Sequence, residues 1–265
     1  MLALTDMLSE KLKGLAMTQS NIIYHQQGIF DLRSKQLVAH ELLLRCIDTF
    51  DIRTINESRE MYVSHLTALV HAKLQQINEL QTLSKETVIF INFSPEQVAS
   101  SQFERCLFMI SEAISERHRL AIEVTEQTNL LQNDIIVRNL QLARSLGFFV
   151  AIDDFGSGYS NLLQIIRIKP DIVKIDRELL EGAVGRPSNM EGLRMLANLT
   201  RFLKSLSFKV VIEGIETERH LDFALEAGAD FGQGYFLQKP CPINESKLTP
   251  PHAFKQQAGI CKDCI

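Results

Sequence analysis

Short apolar runs that end in a polar residue recur along the chain, and segments with helical apolar spacing separate most of them. The runs are β-rich and have the length of a buried strand. A helix between two strands returns the chain to the same end of the sheet, so strands that alternate with helices predict a parallel sheet. In chain order the runs end at Asn92, Glu123, Asp153 with Asp154, Lys174, Glu213 and Gln233.

The first two runs follow a different pattern, since only a tight polar turn at residues 33–36 separates residues 22–32 from residues 37–45. This predicts a hairpin whose first strand is antiparallel to the second. Period-two alternation puts Glu41, Leu43 and Arg45 on one face. An inward glutamate and arginine need partners, because burying either charge alone is costly. A metal ion for Glu41 and a phosphate for Arg45 would satisfy both.

The length of 265 residues suits a (β/α)8 barrel, which typically needs about 250 residues, better than an open doubly wound sheet. No Gly-x-Gly-x-x-Gly motif opens the first βα unit, which weakens the dinucleotide-binding alternative. Active sites of such barrels lie at the carboxyl ends of the strands, so the polar strand ends should surround one cavity.

Two adjacent carboxylates, Asp153 and Asp154, end an apolar stretch and open into a loop that contains Gly156 and Gly158. Successive strand residues point to opposite faces, so both acids reach one centre only if the strand stops there. Neighbouring acids repel each other unless a cation lies between them, and Mg²⁺ or Mn²⁺ prefers oxygen ligands. The pair therefore indicates a site for two divalent cations; a solvated turn is the alternative interpretation.

Seven motifs resemble, in order, those of the EAL domain, the cyclic di-GMP phosphodiesterase family of bacteria. The resemblance covers roughly residues 20–245. It implies an α/β fold, a modified TIM (β/α)8 barrel with the first strand antiparallel, which agrees with the predicted hairpin. It also implies hydrolysis of cyclic di-GMP to linear pGpG with two Mg²⁺ or Mn²⁺ ions per active site. The motifs are ELLLR at 41–45, NFS at 92–94, EVTE at 123–126, DDFGSGYS at 153–160, KID at 174–176, EGIET at 213–217 and QGY at 233–235.

The resemblance also implies roles for individual residues. The ligands of one metal would be Glu41, Asn92, Glu123 and Asp153. Asp153 would bridge to a second metal held by Asp154, and Glu213 would bind that metal or act as general base. Lys174 would hold the attacking water, so the implied catalytic residues are Lys174, Glu213 and Glu41.

Substrate contacts are implied for Arg45, Gln27 and Gln233. Glu126 and Glu216 match the acids that brace the loop after Asp154, which in this family couples substrate binding and dimerisation to metal occupancy.

Some positions depart from the family pattern without removing a catalytic group. Leu42 replaces alanine, Gly28 replaces proline, Ser157 replaces threonine and Ile212 replaces alanine. Because many family members have lost activity, two alternatives to the enzyme remain: a catalytically silent cyclic di-GMP receptor and a protein-binding regulator. An active enzyme would lower the second messenger and so regulate behaviour such as motility or biofilm formation.

Composition narrows the setting. A formal net charge of −4 argues against general binding of DNA or other nucleic acid, which usually comes with a basic face. No run approaches the about 20 apolar residues of a membrane span, and no signal core follows a basic start, so a cytoplasmic location without membrane insertion is expected. Five cysteines without a regular framework suggest reduced thiols, and the Cys261/Cys264 pair lacks a second ligand pair for zinc.

The predicted organisation is a stand-alone EAL domain with short flanking segments. Residues 1–19 form an amphipathic helical segment that packs on the barrel or on a partner. Residues 20–245 form the phosphodiesterase domain, in which a long helix is expected at about residues 55–83, and residues 246–265 form a flexible tail. The predicted partners are cyclic di-GMP, a second copy in a homodimer, and a regulatory protein.

Overall fold

The computed structural model describes residues 22–47, 50–51, 63, 66–83, 86–114, 116, 119–125, 133–156, 162–185 and 189–243. In these ranges ten strands form one sheet that closes into an eight-stranded barrel, to which the short strands β3 and β10 are added. The strands are β1 (Ile22–Asp31), β2 (Leu37–Ile47), β3 (Phe50–Asp51), β4 (Val88–Phe93), β5 (Leu120–Thr125), β6 (Phe149–Phe155), β7 (Ile172–Ile175), β8 (Lys209–Ile212), β9 (Phe231–Gly232) and β10 (Cys241–Pro242).

Strand β1 closes the barrel and runs against both of its barrel neighbours. It pairs antiparallel with β2 along most of its length and antiparallel with β9 at Phe30 and Asp31. The remaining barrel pairs, from β2–β4 to β8–β9, are parallel. The predicted α/β barrel with an antiparallel first strand is therefore confirmed.

The turn that reverses the chain after β1 is built by one aspartate. The Asp31 carboxylate accepts hydrogen bonds from the backbone N–H groups of Arg33 and Ser34, at 2.9 and 2.6 Å. Lys35 has a φ of 61°, in the left-handed region, and its N–H donates to the Asp31 carbonyl. This local closure explains why only a few polar residues are needed to join β1 to β2.

Eight helices are described around the barrel. Helix α1 is Leu66–Leu83 and lies within the long helix predicted at about residues 55–83, of which residues 55–62, 64 and 65 are outside the described residues. The other helices are α2 (Pro95–Ala99), α3 (Phe103–Ala113), α4 (Asp134–Ser145), α5 (Leu162–Ile168), α6 (Arg177–Val184), α7 (Asn189–Ser205) and α8 (Glu218–Glu226). Among these described helices, none combines the length and the apolar character that a membrane span requires.

The core has two locations, because each barrel strand is buried on both faces. Outward-facing strand residues pack on the helices in two large clusters, and Leu42 lies in one of them together with Leu66 and Val70 of α1. Leu42, which departs from the family's alanine, thus packs between strand and helix. A third cluster fills the barrel interior and consists of Ile29, Ala39, Phe90, Ala121, Ala151, Ile172 and Val211.

Several predicted segments lie outside the described residues. They are the amphipathic segment 1–19, the tail 246–265 with its two cysteines, residues 157–161 of the loop after Asp154, and Glu126.

Candidate active site

A layer of polar side chains lies directly above the apolar layer of the barrel interior. Inward-facing residues recur at every second strand position. Two positions beyond Ala39, Phe90, Ala121, Ala151, Ile172 and Val211, the chain has Glu41, Asn92, Glu123, Asp153, Lys174 and Glu213. Gln27 completes the layer from antiparallel β1, two positions before Ile29, and Gln233 does so after β9.

The Lys174 ammonium lies at the centre of this layer. Its Nζ is 3.2 Å from Glu41 Oε2, 2.5 Å from Glu123 Oε1, 3.1 Å from Asp153 Oδ1 and 2.6 Å from Glu213 Oε1. The Lys174 side chain is 1% exposed and that of Glu123 is 0% exposed, so water screens these charges little. One ammonium therefore holds four carboxylates that come from four different strands or strand ends.

Two amide side chains orient Glu41 from either side. Asn92 Nδ2 donates to Glu41 Oε1 at 2.8 Å, and Gln233 Nε2 donates to Glu41 Oε2 at 2.7 Å. Gln233 Nε2 also lies 3.3 Å from Gln27 Oε1. Glu41, Asn92, Gln27 and Gln233 are thus joined in one network across the seam between the first and last barrel strands.

The single positive charge of Lys174 does not neutralise the carboxylates around it, and the pKa values of these groups are shifted. Burial raises the pKa of Glu123 and of Glu213 well above the ordinary value, against the opposing effect of Lys174. For Glu41, burial acts in the same direction, but Lys174 and the amide donors outweigh it and lower the pKa. Burial lowers the pKa of Lys174, whereas the surrounding carboxylates raise it by more, to well above its usual value.

Asp153 and Asp154 both reach the polar layer because the backbone of β6 is irregular, which the sequence did not predict. The expectation that the strand stops at these acids is wrong, because β6 continues to Phe155. The β6–β7 register instead shifts between Ile152 and Phe155, and Asp154 has a φ of 55°. Such an irregularity lets two successive residues, here Asp153 and Asp154, point toward the same face, which regular strand alternation would not allow. Burial and the neighbouring Asp153 charge raise the pKa of Asp154 to about 7.

The acids form two groups with metal-ligand spacing, and the groups share Asp153. Carboxylate oxygens of Glu41, Glu123 and Asp153 lie within 4.8 Å of one another, and so do those of Asp153, Asp154 and Glu213. Fully ionised, these five carboxylates and one ammonium would leave four uncompensated negative charges. Two divalent cations would balance that charge.

The oxygen atoms at the site also fit hard cations. Within the polar layer, five buried oxygens find no donor with hydrogen-bond geometry among the described residues, although Lys174 lies within ion-pair distance of two of them. Unsatisfied buried oxygens are costly, and Mg²⁺ and Mn²⁺ prefer such ligands. These atoms are Asn92 Oδ1, both carboxylate oxygens of Glu123, Asp153 Oδ1 and Gln233 Oε1.

Two other predicted residues lie away from the layer. Arg45 is half-buried at a register shift between β1 and β2, where Ile23 pairs with Cys46 and Tyr24 pairs with Leu44. The alternation that placed Arg45 on the face of Glu41 is therefore interrupted at Arg45 itself. Glu216 forms an ion pair with Arg177 at 2.9 Å, at the start of α6.

Gln238 is a contributor that sequence patterns did not reveal. Its side-chain Oε1 accepts from the Gly28 N–H at 2.8 Å, and its backbone carbonyl accepts from Gln27 Nε2 at 3.0 Å. A proline at position 28, the usual family residue, would lack that N–H donor. Gln238 lies in an irregular segment after β9, where no periodicity marks a residue as inward-facing.

Comparison with known proteins shows to which family the chain is similar. The EAL domain model matches residues 10–240. The probable cyclic di-GMP phosphodiesterase PdeG of Escherichia coli K12 is 32% identical over 187 residues, which are 69% of this chain and 36% of PdeG. The cyclic di-GMP phosphodiesterase PdeF of the same organism is 30% identical over 218 residues, 78% of this chain and 28% of PdeF.

A solved manganese and cyclic di-GMP complex of Klebsiella pneumoniae BlrP1 at pH 9.0 has a similar fold. It has a TM-score of 0.73 and 24% identity, over 86% of this chain and 58% of that one. The chain spans about a third of the length of the two curated relatives. Because the family model covers most of the sequence, the chain belongs to the EAL domain family.

Proposed function

We propose that the protein hydrolyses one phosphodiester bond of cyclic di-GMP to give linear pGpG, with two divalent cations, Mg²⁺ or Mn²⁺, in its active site. The observation that carries the proposal is that the carboxylates around Lys174 form two clusters with metal-ligand spacing, which share Asp153. The names of PdeG and PdeF, and the manganese and cyclic di-GMP bound to BlrP1, support the choice of substrate and metal.

Each side chain of the layer has a task in this reaction. Glu41, Asn92, Glu123 and Asp153 would hold one cation, and Asp153, Asp154 and Glu213 would hold the other. Bound there, the cations would supply Lewis acidity that neutralises the attacked phosphate and makes water a nucleophile at neutral pH. Asn92 and Gln233 orient Glu41 through the hydrogen bonds described above.

Lys174 would stabilise negative charge in this reaction, and Glu213 would take part in proton transfer. The Lys174 ammonium has three N–H donors, so it can hydrogen-bond the attacking water or a phosphate oxygen while it keeps a contact with a carboxylate. Glu213 would bind the second cation or, as a carboxylate beside it, accept the proton of the attacking water. Arg45 and Gln27 would contact the substrate, and Glu126 and Glu216 would brace the loop after Asp154.

The test is product analysis with the purified protein. Incubation with cyclic di-GMP and Mg²⁺ or Mn²⁺ should yield pGpG, separated by chromatography, and EDTA should abolish it. Glu41→Gln should remove turnover, whereas Glu226→Gln, an exposed carboxylate on α8, should leave it unchanged. Saturable nucleotide binding without product would instead identify a silent receptor. Neither binding nor product would favour a protein-binding regulator.

The wider setting belongs to the same proposal. In the cytoplasm the activity would lower cyclic di-GMP and so influence motility or biofilm formation. Residues 20–245 would be the catalytic domain, with a helical segment at 1–19 and a flexible tail at 246–265. A homodimer near the loop after Asp154 and a regulatory protein partner would control it; light scattering that shows only monomer at high concentration would refute the dimer.

A further inference from the structure

Lys73 is a buried lysine on a helix face that is otherwise apolar. Helix α1 packs Leu66, Val70, Ile77 and Leu80 into the cluster that contains the outward residues of β4. Lys73 lies in the same stripe, three residues after Val70 and four before Ile77, and is 9% exposed. No carboxylate in the described part of the chain forms an ion pair with it. Its position therefore calls for an explanation other than surface charge.

Stability alone does not explain a lysine at this position. Removing its charge from water is costly, and burial lowers the pKa of the Lys73 amine to about 7. A leucine or methionine would fill the same stripe without that penalty. The charged and neutral amine both carry N–H donors, so its hydrogen bonding persists in either protonation state.

The contacts of Lys73 converge on the end of β4. Its Nζ donates to the backbone carbonyl of Asn92 and lies 4.1 Å from the centre of the Phe93 ring. The pairing of β2 with β4 ends at Leu42 and Ile91, one residue before Asn92. The amine thus holds the strand from outside the barrel just beyond the point where its neighbour stops pairing with it.

The residue held in this way has its side chain inside the barrel. Asn92 Nδ2 donates to Glu41, and Asn92 Oδ1 is one of the buried oxygens without a donor. Fixing a carbonyl fixes the backbone from which the side chain projects, so movement of the Asn92 backbone would displace a candidate ligand atom.

We propose that Lys73 is a positioning residue that fixes the Asn92 side chain for metal binding from the opposite face of the sheet. The role rests on the metal site of the proposed function and adds a residue that does not contact the metal or the substrate. Outer partners of metal ligands typically change metal affinity by about 10–100-fold when they are removed.

The experiment is a double-mutant cycle with Mn²⁺ affinity as its measurement. Electron paramagnetic resonance measures the concentration of free Mn²⁺ while Mn²⁺ is added to the wild type, Lys73→Met, Asn92→Ala or the double variant. Lys73→Met should weaken Mn²⁺ binding by about 10-fold or more. In the Asn92→Ala background the same substitution should have almost no further effect, because the ligand that it positions is already gone.

Two further variants separate positioning from general stability. Leu80→Ala empties part of the same helix face and should lower stability while Mn²⁺ affinity stays within about twofold, since Leu80 lies about two helical turns beyond Lys73. Lys73→Gln keeps an N–H donor on a shorter side chain and should bind Mn²⁺ more tightly than Lys73→Met does. It also replaces Lys73→Met in the cycle if that variant fails to fold.

The outcomes are distinct. If the wild type binds Mn²⁺ but the Lys73 and Asn92 effects multiply in the double variant, Lys73 does not act through Asn92 and the inference is overturned. If Leu80→Ala weakens Mn²⁺ binding as much as Lys73→Met does, the effect is one of stability and the inference is likewise overturned. If the wild type binds no Mn²⁺, the metal site of the proposed function fails first, and the role of Lys73 fails with it.

Discussion

Replacing Lys174 with methionine tests whether one ammonium holds the carboxylate layer together. Methionine keeps a similar length without the charge. Each contact of about 3 Å represents about 5 kcal/mol of gross attraction at an effective dielectric constant of 20, but desolvation and carboxylate repulsion cancel much of it. Removing one partner of a buried ion pair typically costs about 3–5 kcal/mol. We expect a loss of that size in EDTA at neutral pH.

The assay is urea unfolding followed by circular dichroism, with EDTA or with Mn²⁺. Mn²⁺ should restore more stability to Lys174→Met than it adds to the wild type, because the cations replace the missing positive charge. Lys204→Met is the matched control, since Lys204 pairs with Asp230 at 3.1 Å with a side chain that is 32% exposed. It should cost less than about 1 kcal/mol. A loss in Lys174→Met as small as in this control would refute the reasoning.

Three further predictions concern the surroundings of the layer. The folded pKa of about 7 for Asp154 exceeds its ordinary value of 3.8, so metal-free stability should fall as pH rises from about 4 to about 7. Asp154→Asn should reduce this fall and should unfold at higher urea than the wild type at about pH 8 in EDTA; unchanged pH profiles would contradict the raised pKa. Gly28→Pro removes the N–H that donates to Gln238, and a β-carbon at this position would lie 2.3 Å from Gln238 Oε1 and 2.7 Å from Leu37 Cδ1. The substitution should therefore cost at least about 1–3 kcal/mol in urea unfolding, and a neutral effect would contradict both the hydrogen bond and this close packing. Phe103→Ala removes a fully buried ring that packs edge-on against Phe93 and should cost about 3–5 kcal/mol with or without Mn²⁺; a loss below about 1 kcal/mol would contradict that packing.

The polar layer could be predicted because strand periodicity carries over directly into the barrel. Once an apolar run is identified as a strand, the inward residue two positions beyond its apolar contact is determined by alternation alone. Asn92, Glu123 and Lys174 lie where the ends of the runs placed them, and Glu41 lies where alternation within the hairpin placed it.

Irregular backbone limited the rest of the prediction. Alternation would have put Asp153 and Asp154 on opposite faces, and the register shift in β6 is set by how the strand pairs with β7. Arg45 lies at a similar irregularity between β1 and β2. The sequence does favour Asp154 there in one respect, since aspartate is among the non-glycine residues that enter the left-handed region most often.

Lys73 and Gln238 show a second limit, which concerns partners rather than positions. The helical stripe of α1 marks Lys73 as buried, but nothing in the stripe identifies the Asn92 carbonyl as its acceptor. Gln238 has no periodic context, and its contact with Gly28 spans 210 residues of sequence. Contacts of this kind depend on how elements pack, which local patterns do not encode.

The antiparallel β1 strand determines when during folding the polar layer can be completed. Gln27 meets Gln233 across 206 residues of sequence, and Gln233 meets Glu41 across 192. Contacts between residues so distant along the chain form slowly, because closing the intervening loop costs conformational entropy. A chain emerging from the ribosome can pair β1 with β2 early, whereas the β1–β9 seam must wait until the last barrel strand has been made. Until then the growing sheet has open edges, which can pair with other chains, so the protein is exposed to aggregation during its synthesis.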